Sequence, residues 1–153
     1  MTGELKRVLL AEDSARDVEL TLEALEEHRL ANEVVVARDG AEAWDYLNRT
    51  GKFEGRPPGN PAVVLLDLKM PKMDGLEVLR AMRADPDLRS VPVVMLTSSR
   101  EERDVLESYK LGVNAYVVKP VAFGDFIEAV KHLGPFWAVL NQPPPGSIER
   151  HAA

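Results

Sequence analysis

Three carboxylates, a pair of hydroxyls and one ammonium each fall directly after an apolar run of this sequence. Glu12 and Asp13 follow the run 8–11, Asp67 follows 62–66, Thr97 and Ser98 follow 91–96, and Lys119 follows 115–118. Three carboxylates in one small cleft raise one another's pKa unless a cation neutralises them. A hard divalent ion answers that need, and Mg²⁺ takes a few carboxylate oxygens together with water and a substrate phosphate. No His or Cys stands at any of these run ends, so softer metals would find no donors. Asp67 then reads as a nucleophile toward phosphorus. In-line attack needs a carboxylate oxygen, a metal to bridge developing charge and a cation opposite, which Lys119 supplies. Thr97 is placed to donate its hydroxyl to a phosphoryl oxygen once the group has arrived, with backbone N–H groups completing the cradle.

Each residue alone also has an ordinary structural reading. Glu12, Asp13 and Ser14 sit where a helix cap belongs, and acidic groups there complement the helix dipole. Asp67 opens a stretch whose Pro71, Asp74 and Gly75 are turn chemistry. Thr97 is an ordinary capping choice. Lys119 stands apart, because a lysine at the end of an apolar strand must find a partner, and Pro120 behind it constrains its aim. What favours chemistry is joint placement: independent caps have no reason to fall at the ends of four runs with complementary charges.

These residues can meet only if the runs are parallel strands. The five runs, 8–11, 34–37, 62–66, 91–96 and 115–118, are rich in Val and Leu and lack alternation, as strands buried on both faces do. Between and after them apolar residues recur at helical spacing: Val18, Thr21, Leu22 and Leu25; Ala43, Trp44 and Leu47; Leu76, Leu79 and Met82; Phe123, Phe126, Ile127 and Val130. A helix near 102–110 carries a thinner stripe of Val105, Leu106 and Tyr109, so its outer face is expected to be solvated. Strict alternation of strand and helix predicts an α/β, doubly wound (βα)₅ fold with a parallel five-stranded sheet. All strand ends then line one crevice, where open α/β sheets bind ligands. Residues 50–61, with three glycines and three prolines, form a long loop. The division expected is one domain over 1–141, including an extended last helix, and a Pro-rich, disordered tail over 142–153.

The bulk numbers narrow the function. A chain of 153 residues with 45% hydrophobic content can build one core unaided. A formal net charge of −6 opposes nucleic acid and anionic membrane surfaces. The absence of cysteine removes disulfides, thiolate sites and Cys nucleophiles, and fits a reducing compartment. No run approaches the ~20 apolar residues a membrane span needs. A soluble, cytoplasmic protein is expected. His28, His132 and His151 fall away from the run ends and read as solvated surface.

Four motifs in order carry a family resemblance over about residues 5–133: Glu12-Asp13, the stretch Asp67-Leu68-Lys69-Met70-Pro71-Lys72-Met73-Asp74-Gly75, Thr97-Ser98, and Lys119-Pro120. Together they resemble the receiver domain of two-component response regulators. The resemblance implies a flavodoxin-like receiver fold with strand order 2-1-3-4-5, the order for which the chemotaxis receiver is a standard example. It implies that Asp67 is the phosphoacceptor, Asp13 a direct Mg²⁺ ligand, Glu12 a ligand through water, and the Lys69 backbone carbonyl the remaining protein ligand. It further implies that Thr97 is the switch hydroxyl, with Ser98 beside it, that Lys119 binds phosphate, and that Tyr116 turns inward when Thr97 moves. A sensor histidine kinase is the implied phosphoryl donor, and the only catalysis implied is the domain's own phosphotransfer and autodephosphorylation. More narrowly, the long loop 50–61, the stretch Asp85-Pro86-Asp87-Leu88 and the extension with Phe136 and Trp137 resemble single-domain regulators paired with bacterial phytochromes.

About 20 residues follow Leu133, so output is expected through a downstream protein rather than an attached domain. Phe136, Trp137 and Leu140 continue the apolar stripe of the last helix past Gly134-Pro135; they either fold back on the domain or form a self-association surface, and the expectation is a homodimer through that helix. Two rivals make different demands. A pseudo-receiver that binds partners without phosphorylation would lack an acidic or basic site residue, and all are present. A phosphohydrolase with an Asp nucleophile would want a second acid near it and a substrate cap, yet Lys69 stands two residues after Asp67 and no cap insertion is visible.

Overall fold

Strand and helix alternate along the chain: β1 (Arg7–Ala11), α1 (Ala15–Glu27), β2 (Glu33–Ala37), α2 (Gly40–Asn48), β3 (Val63–Leu66), α3 (Gly75–Ala84), β4 (Val93–Thr97), α4 (Glu102–Lys110) and β5 (Ala115–Val118). The coordinates are a computed structural model, which describes residues 7–27, 33–98 and 102–119. The strands form one parallel sheet in the order β2-β1-β3-β4-β5, as expected for a doubly wound α/β domain. The last helical stripe, the surface of Phe136, Trp137 and Leu140, the tail and the three histidines lie outside the described residues.

The lack of alternation in the runs has its cause in the two-sided core. Leu9, Ala11, Val64, Leu66, Val93 and Met95 pack on one face with Ala43, Tyr46 and Leu47 of α2 and Val78, Leu79 and Met82 of α3. The intervening Val8, Leu10, Val63, Leu65, Val94 and Leu96 join Ala115, Val117 and the α1 residues Val18 and Leu25 on the other. Both faces exclude water, so neither parity of strand position tolerates a polar side chain. On α4 the thin stripe behaves as its spacing predicts, with Leu106 and Tyr109 exposed.

Two arginines that periodicity did not single out organise the connections. In the 50–61 segment the chain first makes a short 3₁₀ turn, Gly51–Phe53. Arg56 then stacks its guanidinium 4.1 Å from the Tyr46 ring centre and donates to the carbonyls of Tyr46 (2.7 Å), Pro57 (2.6 Å) and Gly59 (2.9 Å). This loop is therefore built, not slack. At the opposite edge of the sheet from the strand ends, Arg83 of α3 donates to Arg89, Val91 and Gly112 carbonyls, clamping the turns that enter β4 and β5. Asn114 completes the clamp, its side-chain oxygen accepting from the Val93 amide at 2.8 Å.

Candidate functional site

The parallel ladder continues one residue past two strands and so fixes the first two acids. The Glu12 amide donates to the Ala37 carbonyl (2.9 Å) and the Asp67 amide to the Ala11 carbonyl (3.0 Å). Both side chains are buried, Glu12 at 2% and Asp67 at 5% exposure, while Asp13 next to them is exposed. Carboxylate oxygens of Glu12, Asp13 and Asp67 all lie within 4.8 Å of one another.

Ser14 caps α1, its Oγ accepting from the Asp17 amide and its carbonyl from Val18. The Ser14 amide in turn donates to Glu12 Oε2 at 3.1 Å. Capping thus belongs to Ser14, which releases Glu12 and Asp13 from that ordinary role. Thr97 is the last residue of β4. Its side chain, with Ser99 and Pro120, is outside the described residues, whereas Ser98 is exposed.

The loop after Asp67 is held by two glycines. A Cβ on Gly75, the first residue of α3, would strike the Asp67 carbonyl oxygen, and one on Gly40, the first residue of α2, would strike the Met73 carbonyl. The Gly75 amide donates to the Leu68 carbonyl at 2.8 Å. Asp74 and Glu77 form a reciprocal capping box, each side chain accepting from the other's amide at 2.9 Å, so the turn chemistry of Asp74 is a true helix start. Lys69 is exposed in this loop. Tyr116 of β5 is half-buried and packs on the core face that holds α2 and α3.

Lys119 Nζ reaches into the acids from the end of β5: 2.8 Å from Glu12 Oε1, 2.8 Å from Asp17 Oδ2 and 3.5 Å from Asp67 Oδ1. Burial alone would lower this ammonium, but the hydrogen bonds to Asp17 and Glu12 and the charge of Asp67 outweigh it and hold Lys119 above its ordinary pKa. Burial, then the charge of Glu12, push the Asp67 carboxyl up to about 7 against the opposing pull of Lys119. Asp17 is the site residue that motif reasoning missed. Its signal was only partial: a lysine set among acids takes several acceptors, and Asp17 sits on the first turn of α1, four residues beyond Asp13, where a helix-dipole role accounts for it equally well.

Three carboxylates, Glu12, Asp17 and Asp67, face one ammonium here with Asp13 beside them, and all of the acceptors are hard oxygens. That donor set fits a small divalent cation such as Mg²⁺, whose charge would offset the burial and the mutual repulsion that together keep Asp67 high. The resulting arrangement, a buried carboxylate beside a cation site and opposite a lysine, suits an anionic phosphoryl group better than any apolar ligand.

Comparison with known proteins identifies the family and its relatives. The response regulator receiver domain profile matches residues 8–131. The chain is 41% identical to response regulator Rcp1 of Synechocystis sp. over 132 residues, covering 86% of this chain and 88% of that protein. Among solved structures it resembles the bacteriophytochrome response regulator RtBRR at 64% identity and a TM-score of 0.83, covering 97% of this chain and 91% of the other. It also resembles the Mn²⁺-bound form of Rcp1 at 40% identity and a TM-score of 0.73, covering 91% and 97% of the two chains.

Proposed function

The chain belongs to the response regulator receiver family, and from that premise we propose that Asp67 accepts a phosphoryl group from a sensor histidine kinase with Mg²⁺ bound beside it. Receiver domains take their phosphoryl groups from such kinases and are signalling modules rather than enzymes acting on a metabolite. The observation that carries the assignment to Asp67 is its position within the cluster of Glu12 and Asp13, opposite Lys119. An Asp67 carboxylate oxygen attacks phosphorus, the bond from phosphorus to the donor's leaving atom breaks, and the new acyl phosphate places its charge toward Lys119.

Mg²⁺ would be held by Asp13 and Asp67 directly, by Glu12 through water and by the Lys69 carbonyl, and it supplies charge neutralisation for the transferring group. The Mn²⁺-bound Rcp1 relative supports a divalent ion in this acidic pocket. Lys119 orients and neutralises the phosphoryl oxygens. Thr97, with Ser98 next to it, acts as the switch hydroxyl that draws toward the phosphoryl group, and Tyr116 follows inward, changing the surface read by a downstream protein. We infer that the kinase is a bacterial phytochrome, which the 64% identity to a bacteriophytochrome response regulator supports. A homodimer through the last helix, with Phe136, Trp137 and Leu140 at its surface, belongs to the same proposal. Sedimentation as a monomer at about tens of micromolar, a range set by ordinary dimer affinities, would remove it.

Intact-protein mass after incubation with Mg²⁺ and a small acyl-phosphate donor tests the central claim. One phosphoryl adduct is expected on the native chain and none on Asp67→Asn. An adduct that persists in the variant, or none on the native chain with Mg²⁺ binding verified, overturns the assignment.

A further inference from the structure

Lys119 is shared between two parts of the site that do different jobs. Glu12 is buried at the end of β1 and belongs to the acid cluster. Asp17 lies on the first turn of α1, with its side chain 31% exposed at the mouth of the crevice. Each accepts from Nζ at 2.8 Å, while the phosphoacceptor oxygen stands at 3.5 Å, outside good charge-assisted hydrogen-bond distance. An ammonium has three donors, so two are committed away from Asp67. The backbone of Asp17 is itself fixed, its amide donating to Ser14 Oγ at 3.2 Å.

We propose that Asp17 is a positioning residue that holds Lys119 back from Asp67 in the resting protein and thereby slows phosphoryl acceptance. The proposal rests on the phosphoacceptor reading of Asp67. An incoming phosphoryl group must draw Lys119 toward its own oxygens, and Asp17 competes for that ammonium while adding a negative charge at the entrance. Glu12 does not compete in the same way, because its buried carboxylate cannot lose the lysine without another cation taking over. Asp17 can, since water replaces Lys119 at its partly exposed carboxylate.

The test compares native protein, Asp17→Asn, Asp17→Glu and Glu19→Gln, following the rate of adduct formation from a small acyl phosphate at saturating Mg²⁺. Alongside it, the side-chain ammonium resonance of Lys119 is followed in ¹⁵N-lysine-labelled protein. Asp17→Asn is expected to accelerate acceptance about five-fold, the size of a partly screened ion pair, and to speed solvent exchange at the Lys119 ammonium. Asp17→Glu restores both toward native values. Glu19→Gln removes an exposed charge from the same helix and leaves both unchanged. Equal rates in native protein and Asp17→Asn overturn the proposal, as does an equal acceleration in Glu19→Gln, which would reduce the effect to net charge. Absence of an adduct on every chain is instead the failure of the phosphoacceptor reading, and takes this proposal with it.

Discussion

A Cβ on Gly75 would strike the carbonyl oxygen of Asp67. It would also come within 2.9 Å of the Leu68 Cα. Both are backbone atoms, so nothing at this contact can rotate away. Gly75→Ala is therefore expected to cost about 1–3 kcal/mol, the usual range for overpacking, and to slow adduct formation because it displaces the peptide carrying Asp67. Gly55→Ala is the control, since nothing lies within 4 Å of its Cβ position. Chemical denaturation of the two variants decides the matter, and equal midpoints would show that α3 yields without disturbing the loop.

The raised pKa of Asp67 makes a signed statement about stability. In the ion-free protein its carboxyl titrates near 7, against 3.8 for the ordinary group. The folded state therefore holds the proton more tightly, so its stabilising contribution is complete below pH 3.8 and is lost as pH rises through about 7. Asp67→Asn has no such loss. In chelator, the melting temperature of the variant should exceed that of the native chain by several degrees at pH 8, since each pKa unit carries about 1.4 kcal/mol, and the gap should shrink at pH 5. Saturating Mg²⁺ should close it at pH 8. A gap independent of pH would mean that Asp67 is not strained by its neighbours.

The same acid shows what the sequence could and could not reveal. The parallel, doubly wound sheet and the convergence of Glu12, Asp13, Asp67 and Lys119 were legible because they follow from runs, spacing and the shared edge of a parallel sheet, while the strand order came only with the family resemblance. Asp17 was not legible, because an acid on the first turn of a helix is explained equally well by the helix dipole. Arg56 and Arg83 escaped for a related reason. Most of their hydrogen-bond partners are backbone carbonyls, and a carbonyl carries no residue type that a sequence pattern could register.

Arg83 provides the next test. Its guanidinium satisfies carbonyls of Arg89, Val91 and Gly112 from one fork, and burial lowers its pKa without an anionic partner being needed. A lysine has the charge but not the fork. Arg83→Lys is expected to lose about 0.5–1.5 kcal/mol, the usual net worth of a hydrogen bond whose acceptor water can reach, with Mg²⁺ affinity within two-fold of native, about the scatter between distant sites. Calorimetric melting and an Mg²⁺ titration measure the two quantities. A matched loss of ion affinity would show that the clamp and the site at opposite edges of the sheet are coupled.

Lys119 is the cation that permits Glu12 and Asp67 to be buried together, and its removal should expose that dependence. In Lys119→Met both acids keep their places at the ends of β1 and β3 but lose the ammonium they share. Breaking a buried pair on one side ordinarily costs about 3–5 kcal/mol. Without Lys119 the Asp67 carboxyl moves further above its present value near 7, because the opposing pull on it is gone. The extra cost is thus largest where Asp67 is ionised and is relieved as pH falls and it takes up a proton. A divalent ion supplies the missing charge, so Mg²⁺ should raise the melting temperature of Lys119→Met more than that of the native chain, by roughly 2–4 °C for each additional kcal/mol in a protein of this size. Thermal unfolding at pH 5 and pH 8, with chelator and with Mg²⁺, contains the whole test. An identical Mg²⁺ shift in both chains would mean that the lysine and the ion answer to different carboxylates.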